Sequence, residues 1–462
     1  MRLLVIAHLL PGDAEPGGAR VEWLARALAP FGAEAHLLAL RSTGVRRADG
    51  APGPDLSTTT VVECPTSELP GQIAALVRRD GGFARTIIDH PSQVEAVRRG
   101  MEIAKRFRSD MILSSIPPRR VGEVAYRVAL ETGLPWVVDW QDPMALRPLN
   151  VWPSRGYFSA QAEREALWCE RASLHVVTAP SHERLLRERR PAARAATIPI
   201  GLADPAGGGR PPKSTVVPQR GGLLYSGSLT PDLYGFAPRF PWKLSMRLRS
   251  RLSLGRLCHA PFAGEVDYRP WGLRGLEAIA RCRDGVTSLE FAGARNPGVV
   301  AGLVRRLGLR GRSRFLPWAD AARVADDLSR AHVLWLSCAG TSARGGEPVL
   351  LSKAGGYLAS GRPIFAVLPP ECDTAQMLRG HAGVFMADPG DPDALDNALG
   401  RALSTAPEAS FDRDVDDLRW GRLAERLVGL LESAASGRPA GNAGEDVPAT
   451  DDAGGREGDL GA

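Results

Sequence analysis

The sequence predicts an α/β protein made of two tandem doubly wound parallel-sheet domains that face one another across a cleft. Three observations carry this. The chain has 462 residues, too many for one hydrophobic core and suited to two domains of roughly 200 residues each. Short apolar runs alternate with amphipathic stretches in both halves, the pattern of buried parallel strands covered by helices. Between the halves lies GLADPAGGGRPPKSTVVPQRGG, dense in Gly and Pro, and after it the alternation restarts.

In the first half, Leu3–Ala7 is a short apolar run followed by a Gly/Pro-rich loop. Ala19–Phe31 has helical spacing through Val21, Leu24 and Leu28, and Ala35–Leu40 is a second run. After an irregular stretch the pattern predicts a helix near Val94–Phe107, a strand Met111–Ser114, a helix Val121–Glu131 and a strand Trp136–Asp139. A helix Ala160–Arg171 and strands Leu174–Thr178 and Thr197–Ile200 complete this half. The second half predicts strands at Leu223–Ser226, Ser288–Ala292, Ser313–Leu316, Val333–Ser337, Pro363–Val367 and Gly383–Met386. Its helices fall at Gly272–Arg281, Pro297–Leu307, Ala321–Arg330, Val349–Ala359 and Pro392–Leu403. The expected units are a first domain over 1–204, a linker over 205–220, and a second domain over 221–409 with an insertion at about 230–270. A C-terminal helix over 410–433 follows, then a tail over 434–462 whose Gly/Ala/Asp-rich composition predicts disorder.

Composition narrows the class. The formal net charge of +6, from 58 basic and 52 acidic residues, is too mild to call for nucleic acid. Six scattered cysteines without a CxxC or a zinc-type His/Cys spacing argue against a disulfide framework or a structural zinc site, and fit a reducing cytosol. The opening MRLLVIAHLL has too short an apolar core for a secretion signal, and no apolar stretch reaches the roughly 18 residues of a spanning helix. A soluble, cytoplasmic protein is expected. Arg239–Arg256 carries six basic and no acidic residues; it suits either peripheral contact with an anionic membrane or a solvated hairpin beside the cleft. No GxGxxG follows the first strand, which argues against a nicotinamide dehydrogenase.

Several local stretches, in order, carry a resemblance. HLLPGDAEPGGARVEWLARALAPFGAEAHLLAL holds a strand end, a Gly-rich loop with Arg20, and the next strand. DMILSSIPP and LPWVVDWQDP follow, then LLYSGSL, LEFAGA, RFLPWAD, AHVLWLS and SKAGGYLASGRPIFAVLPP. Over roughly Met1–Glu432, the insertion apart, the chain resembles the GT-B glycosyltransferases, with their two Rossmann-like domains, and among them family 4. The resemblance implies transfer of a hexosyl group from a nucleotide-diphosphate sugar, retention at the anomeric carbon, and no obligatory metal. The nucleotide sugar is then a co-substrate, with no further cofactor. The acceptor, a carbohydrate, lipid-linked or small molecule, is left open.

In such sheets the ligand lies beyond the carboxyl ends of the strands, so loop residues there are the candidates. Gly17, Gly18 and Arg20 sit between a strand and a helix start, where backbone N–H groups favour anions. Gly227 and Ser228 close the first strand of the second half; the resemblance places this turn under the donor diphosphate. Trp318 is positioned to stack on a base, and Thr341, Ser342 and Arg344 to wrap sugar and phosphates. In the family pattern Lys-x-x-Glu-Tyr-Leu-x-x-Gly-x-Pro, Lys353, Tyr357, Leu358, Gly361 and Pro363 match, while Gly356 stands where the ribose-binding glutamate belongs. Glu347 is one residue off the position of the family's second carboxylate. Asp139 and Asp142 offer paired carboxylates for acid–base work, and His8 could orient an acceptor hydroxyl; an ordinary structural role competes for each. Asp412, Arg413 and Asp414 read as solvated charge, and no metal-binding DxD lies at a strand end. The substitution at Gly356 keeps a second class open, a non-catalytic scaffold that binds a partner protein or glycan.

Overall fold

The computed structural model describes residues 1–11, 13, 17–42, 57–64, 91–145, 155–203, 217–227, 229, 266–267, 271–294, 297–317, 321–337, 341–342 and 350–436. Of the residues singled out from the sequence, Ser228, Trp318, Arg344 and Glu347, the basic stretch 239–256, and nearly all of the tail lie outside the described residues. For Thr341 and Ser342 only the backbone is described.

Seven strands form the first sheet: β1 (Arg2–Ala7), β2 (Glu34–Ser42), β3 (Thr59–Cys64), β4 (Met111–Ile116), β5 (Trp136–Trp140), β6 (Leu174–Val177) and β7 (Ala195–Thr197). Their order is β3-β2-β1-β4-β5-β6-β7 and every pairing is parallel. The apolar runs explain why. Leu4 and Ile6 enter one core, while Leu3, Val5 and Ala7 enter the core on the other face, so the strand needs cover on both sides. Helices α1 (Gly18–Arg26), α2 (Pro91–Phe107), α3 (Arg119–Thr132), α4 (Arg155–Arg171) and α5 (Pro180–Arg189) connect these strands. The order reverses between β1 and β4, which opens a crevice at their carboxyl ends.

The second sheet repeats the plan with β8 (Gly222–Ser226), β10 (Ser288–Ala292), β11 (Ser313–Leu316), β12 (Val333–Ser337), β14 (Ile364–Val367) and β15 (Val384–Ala387), in the order β11-β10-β8-β12-β14-β15 and all parallel. The short β9 (Val266–Asp267) and β13 (Thr341–Ser342) pair antiparallel beside it. Helices α6 (Trp271–Arg281), α7 (Pro297–Arg306), α8 (Ala321–Arg330), α9 (Ser352–Ala359), α10 (Asp373–Leu378) and α11 (Pro392–Ser404) accompany these strands. Here the switch falls between β8 and β12.

The last helix, α12 (Trp420–Ala435), returns to the first sheet. Leu423, Leu427, Leu431 and Ala434, spaced by three and four residues, pack with Val21, Trp23 and Leu24. The two chain crossings are hydrogen-bonded together: Leu202 N–H donates to Leu418 O at 2.7 Å and Trp420 N–H to Leu202 O at 2.9 Å.

Several elements differ from the sequence reading. β3, α5 and α10 were not among the expected elements. α1 ends at Arg26, with a 3-10 turn over Ala29–Phe31. The strand expected at Thr197–Ile200 lies at Ala195–Thr197. Arg413 is not solvated: it is 5% exposed and donates to Ala382 O (2.7 Å), Arg362 O (2.9 Å), Tyr357 O (3.3 Å) and Leu358 O (3.4 Å). The last two carbonyls close α9, where the helix dipole attracts a cation. Burial lowers the Arg413 pKa to about 10. Among the described residues, no helix is long and apolar enough to cross a membrane, and Cys64, Cys169, Cys282 and Cys372 are free thiols.

Replacing Arg413 by Leu orphans these carbonyls, and a loss of about 3 kcal/mol is expected. Urea denaturation of Arg413→Leu measures it; an unchanged midpoint would show that water serves those carbonyls equally well.

Candidate active site in the cleft

The loops that follow the strands of a parallel sheet gather at its carboxyl edge, and the two sheets present these edges to each other. Ser181, at the start of α5 after β6, donates its N–H to Asp373 Oδ1 at 3.1 Å, and its hydroxyl bonds Asp373 Oδ2. Asp373 opens α10, which follows β14. A contact between these two loops requires the edges to face.

On the first wall the sequence candidates form one network. Arg20, 3% exposed, points its guanidinium at Asp139, which is fully buried. Nη2 lies 2.6 Å from Oδ1, Nε 3.2 and 3.3 Å from the two carboxylate oxygens, and Nη1 donates to Pro199 O at 2.8 Å. The Ser115 hydroxyl donates to Asp139 Oδ2 at 2.7 Å, and Gln141 Nε2 donates to Ser115 Oγ at 2.9 Å. Gly17 completes the chain. Its φ is +94°, which requires glycine, and a Cβ there would stand 2.5 Å from Gln141 Oε1 and displace that side chain. Gly18 packs as closely, its would-be Cβ 2.6 Å from Asp13 O.

The chemical meaning of two candidates changes accordingly. Arg20 does not present its charge to a ligand, and Asp139, sealed from water and neutralised, is a positioning group. Their pairing fixes the start of α1, the ends of β4 and β5, and the crossing at Pro199. Asp142, three residues on, is partly exposed at the cleft edge. Its loop is held by Glu165 of α4, whose Oε2 accepts from Ala145 N at 2.7 Å. Burial raises the Glu165 pKa to about 7.

His8 follows β1 at the switch point. Burial, reinforced by the charge of Arg120, lowers its pKa to about 4, so its ring is neutral at pH 7. Its Nδ1 is buried and has no hydrogen-bond partner among the described residues. Deeper in the same wall, Trp140 Nε1 donates to His175 Nδ1 at 3.0 Å, and His175 contacts Cys169 O through Nε2 at 3.3 Å. That fixes His175 as the Nε2–H tautomer.

On the second wall, Lys353 and Tyr357 of α9 brace the turn after β8. Lys353 Nζ donates to Ser226 O at 2.9 Å and lies 3.9 Å from the centre of the Tyr225 ring. Ser226 N–H donates to the Tyr357 hydroxyl at 3.0 Å. Gly227, φ +96°, carries the turn, and no described residue lies within 4 Å of where its Cβ would be. Lys353 Nζ therefore lies beside the Gly227 turn. Among the described residues Gly356 also has room: a Cβ there would meet Leu328 Cδ1 alone, at 3.8 Å.

Sequence reasoning thus selected Arg20, Asp139, Lys353, Tyr357 and Gly227, and the fold gathers them into two braced walls. It missed Ser115 and Gln141 as partners, the Ser181–Asp373 contact, and Glu165. For α5 a signal existed: Pro180 at the first helical position and Glu183 in the first turn.

No family model matches the sequence, and no curated protein matches it. Solved structures do match in fold. Sucrose-phosphate synthase from Thermosynechococcus elongatus superposes with a TM-score of 0.60 at 16% identity, covering 95% of this chain and all of that one. Trehalose-6-phosphate synthase from Burkholderia multivorans gives 0.55 at 14%, covering 94% and 97%. HepE from Anabaena, solved in complex with UDP and glucose, gives 0.52 at 16%, covering 94% and 100%. The fold class is therefore GT-B, two Rossmann-like parallel-sheet domains. At these identities the likeness defines architecture.

Two predictions follow from the first wall. Asp139→Asn leaves a buried guanidinium without its counter-charge and is expected to cost about 3–5 kcal/mol, whereas Arg20→Met/Asp139→Leu recovers more than half of that. A double-mutant cycle by chemical denaturation decides; additive losses would rule out the coupling. For Glu165 the folded pKa lies above the unfolded one. Its contribution is full below about pH 4.5 and is lost as pH rises through about 7. Glu165→Gln should accordingly gain on the wild type by about 2–3 kcal/mol between pH 5 and 8, read from urea midpoints at both values. A pH-independent difference would show that Glu165 does not titrate there.

Proposed function

We propose that this chain is a glycosyltransferase that moves a hexosyl group from a nucleotide-diphosphate sugar to a hydroxyl or amine acceptor. One observation carries the reading: two parallel sheets turn their switch-point loops toward a common cleft, and one wall holds an open glycine turn with a lysine ammonium fixed beside it. A turn without side chains lets a diphosphate approach the backbone, and the Lys353 charge sits where a leaving diphosphate would gather negative charge. The facing wall, made rigid by the Arg20–Asp139 network, offers the acceptor a surface with partly exposed Asp142 and neutral His8. The structural likeness to sucrose-phosphate synthase, trehalose-6-phosphate synthase and a protein solved with UDP and glucose supports the same reading.

The chemistry would rest on holding both substrates in one dry cleft and on stabilising the departing diphosphate. Retention at the anomeric carbon and independence of a metal belong to this proposal through the family resemblance, as does a cytoplasmic site of action. Peripheral membrane contact through 239–256 is part of it as well.

Gly356 favours the second reading, a scaffold that binds a partner protein or glycan, because the family's ribose-binding carboxylate is missing there. One experiment addresses both. Calorimetry with a panel of nucleoside diphosphates is expected to find at least one ligand, with affinity reduced tenfold or more in Lys353→Met. Gly356→Glu has room, should gain about 0.5 kcal/mol of helix stability, and is expected to tighten that ligand. If no nucleotide binds either the wild type or Gly356→Glu, the transferase reading falls and the scaffold stands. A donor-hydrolysis screen over common nucleotide sugars then identifies the sugar.

A further inference from the structure

Helix α5 lacks a cap that most helices supply for themselves. The first four amides of a helix have no partner within it, and a Ser, Thr, Asp or Asn just before the helix usually takes one of them. In α5 that position is Ala179, extended (φ −141°, ψ 138°) and without a side-chain cap. The four amides can be followed one by one. Pro180 has no N–H, and those of His182 and Glu183 both donate to Ala179 O, at 3.0 and 3.1 Å. Ser181 N–H is left. The carboxylate of Asp373 takes it at 3.1 Å and also accepts from the Ser181 hydroxyl. Asp373 thus does what an aspartate just before α5 would do, from 192 residues away and from the other sheet.

Two further observations give this contact a wider reach. The Asp373 carboxylate does not serve its own helix, because α10 is capped by Cys372, whose Sγ accepts from Ala375 N at 3.4 Å. It is 8% exposed, held out of water against the positive end of α5. The acidic residue of α5 itself, Glu183, is engaged with Thr197 Oγ1 at 2.6 Å and with Arg187. The next residue of α10 continues the connection. Thr374, 1% exposed, accepts from Leu351 N–H through Oγ1 at 3.0 Å. Leu351 stands just before α9, which likewise has no side-chain cap of its own. Adjacent residues of α10 therefore hold the starts of two helices: α5 in the first domain, and α9, the bearer of Lys353 and Tyr357, in the second. The two domains are joined through the ribbon at Leu202 and Leu418–Trp420, and Asp373 joins them at another point, across the carboxyl edges.

We propose that Asp373 is a clasp across the cleft: it caps α5 from the opposite domain, holds the two domains in the closed arrangement, and through Thr374 couples closure to the seating of α9 beside the Gly227 turn. Opening the cleft uncaps α5 and loosens the start of α9. A nucleoside diphosphate bound at the second wall then favours the clasped form, and by linkage the clasp and the ligand strengthen each other by the same factor. The coupling to a nucleotide rests on the transferase reading; the clasp itself rests on the hydrogen bonds alone.

Small-angle X-ray scattering of the full-length chain reads closure, and calorimetry with UDP reads the coupling. Asp373→Ala is expected to raise the radius of gyration, to weaken UDP about fivefold, and to lower the melting temperature because α5 loses its cap. Ala179→Ser in that background separates the roles, since a serine before the helix caps α5 locally without reaching the other domain. It should restore the melting temperature while the radius stays raised and UDP stays weak. Ser181→Ala, which keeps the amide bond to Asp373, should fall between the wild type and Asp373→Ala in radius. An unchanged radius in Asp373→Ala, or a radius that Ala179→Ser restores together with the melting temperature, would make Asp373 a local cap and overturn the clasp. A raised radius with unchanged UDP affinity would refute the coupling through Thr374. A chain that binds no nucleoside diphosphate yet opens in Asp373→Ala would uphold the clasp while removing the transferase reading.

Discussion

The buried ion pair between Arg20 and Asp139 is the constraint on which the cleft depends. It joins positions 119 residues apart and, through Ser115 and Pro199 O, binds the start of α1 to three other segments. A carboxylate at the end of β5 could in principle face a ligand. Here its oxygens are occupied by a guanidinium and a hydroxyl, so the charge is used to hold loops in place. Such pairs recover their desolvation cost only when the geometry is good and the remaining hydrogen-bonding groups are satisfied. The near-bidentate contact, the Ser115 bond and the Pro199 carbonyl meet both conditions. Rigid loops at a switch point are what a site must have if it is to hold two substrates within bonding distance.

The second wall is built differently. Helix α9 holds the Ser226–Gly227 turn, through a lysine on the Ser226 carbonyl and a tyrosine hydroxyl on its amide. Burial and its role as acceptor push the Tyr357 hydroxyl in opposite directions, and burial prevails, so the group stays protonated well beyond neutral pH. Positive charge thereby stands beside the glycine turn. The two walls thus differ in construction: one ties a buried ion pair, the other sets a lysine against a backbone carbonyl and an aromatic ring.

Much of this could be read in the sequence, for physical reasons that also set the limit. Fully buried strands announce themselves as apolar runs, and β1, β4, β5, β8, β12 and β14 were found within a residue or two. TTVVEC, the edge strand β3, has the β-branched residues of a strand but no apolar continuity. α10 spans only six residues, too few for a periodicity to show. Local candidates such as Arg20, Asp139 and Lys353 were visible one at a time, because glycine loops and strand ends have signatures. Their partners were not, since an ion pair across 119 residues leaves no trace in either segment alone. Arg413 illustrates the same limit: between two aspartates it reads as surface charge, yet its partners are backbone carbonyls, which every residue has.

The return of α12 to the first sheet follows from the same accounting of surfaces. The core beneath α1 contains Val21, Trp23, Leu24 and Leu28, and the face of β1 bearing Leu3, Val5 and Ala7 needs more cover than one nine-residue helix supplies. Leu423, Leu427 and Leu431 provide it. Trp23 Nε1 donates to Trp420 O at 3.1 Å, so the helix is fastened at its first residue, just where the chain arrives from the other sheet. The outgoing segment at Leu202 and the returning one at Leu418–Trp420 share two backbone hydrogen bonds, which makes the two crossings a single ribbon. Any relative movement of the sheets must then bend that ribbon as a unit, while Ser181 and Asp373 make or break their contact at the carboxyl edges. The ribbon is itself tied to both cores, Leu202 and Leu418 packing against that of the second sheet and Trp420 against that of the first.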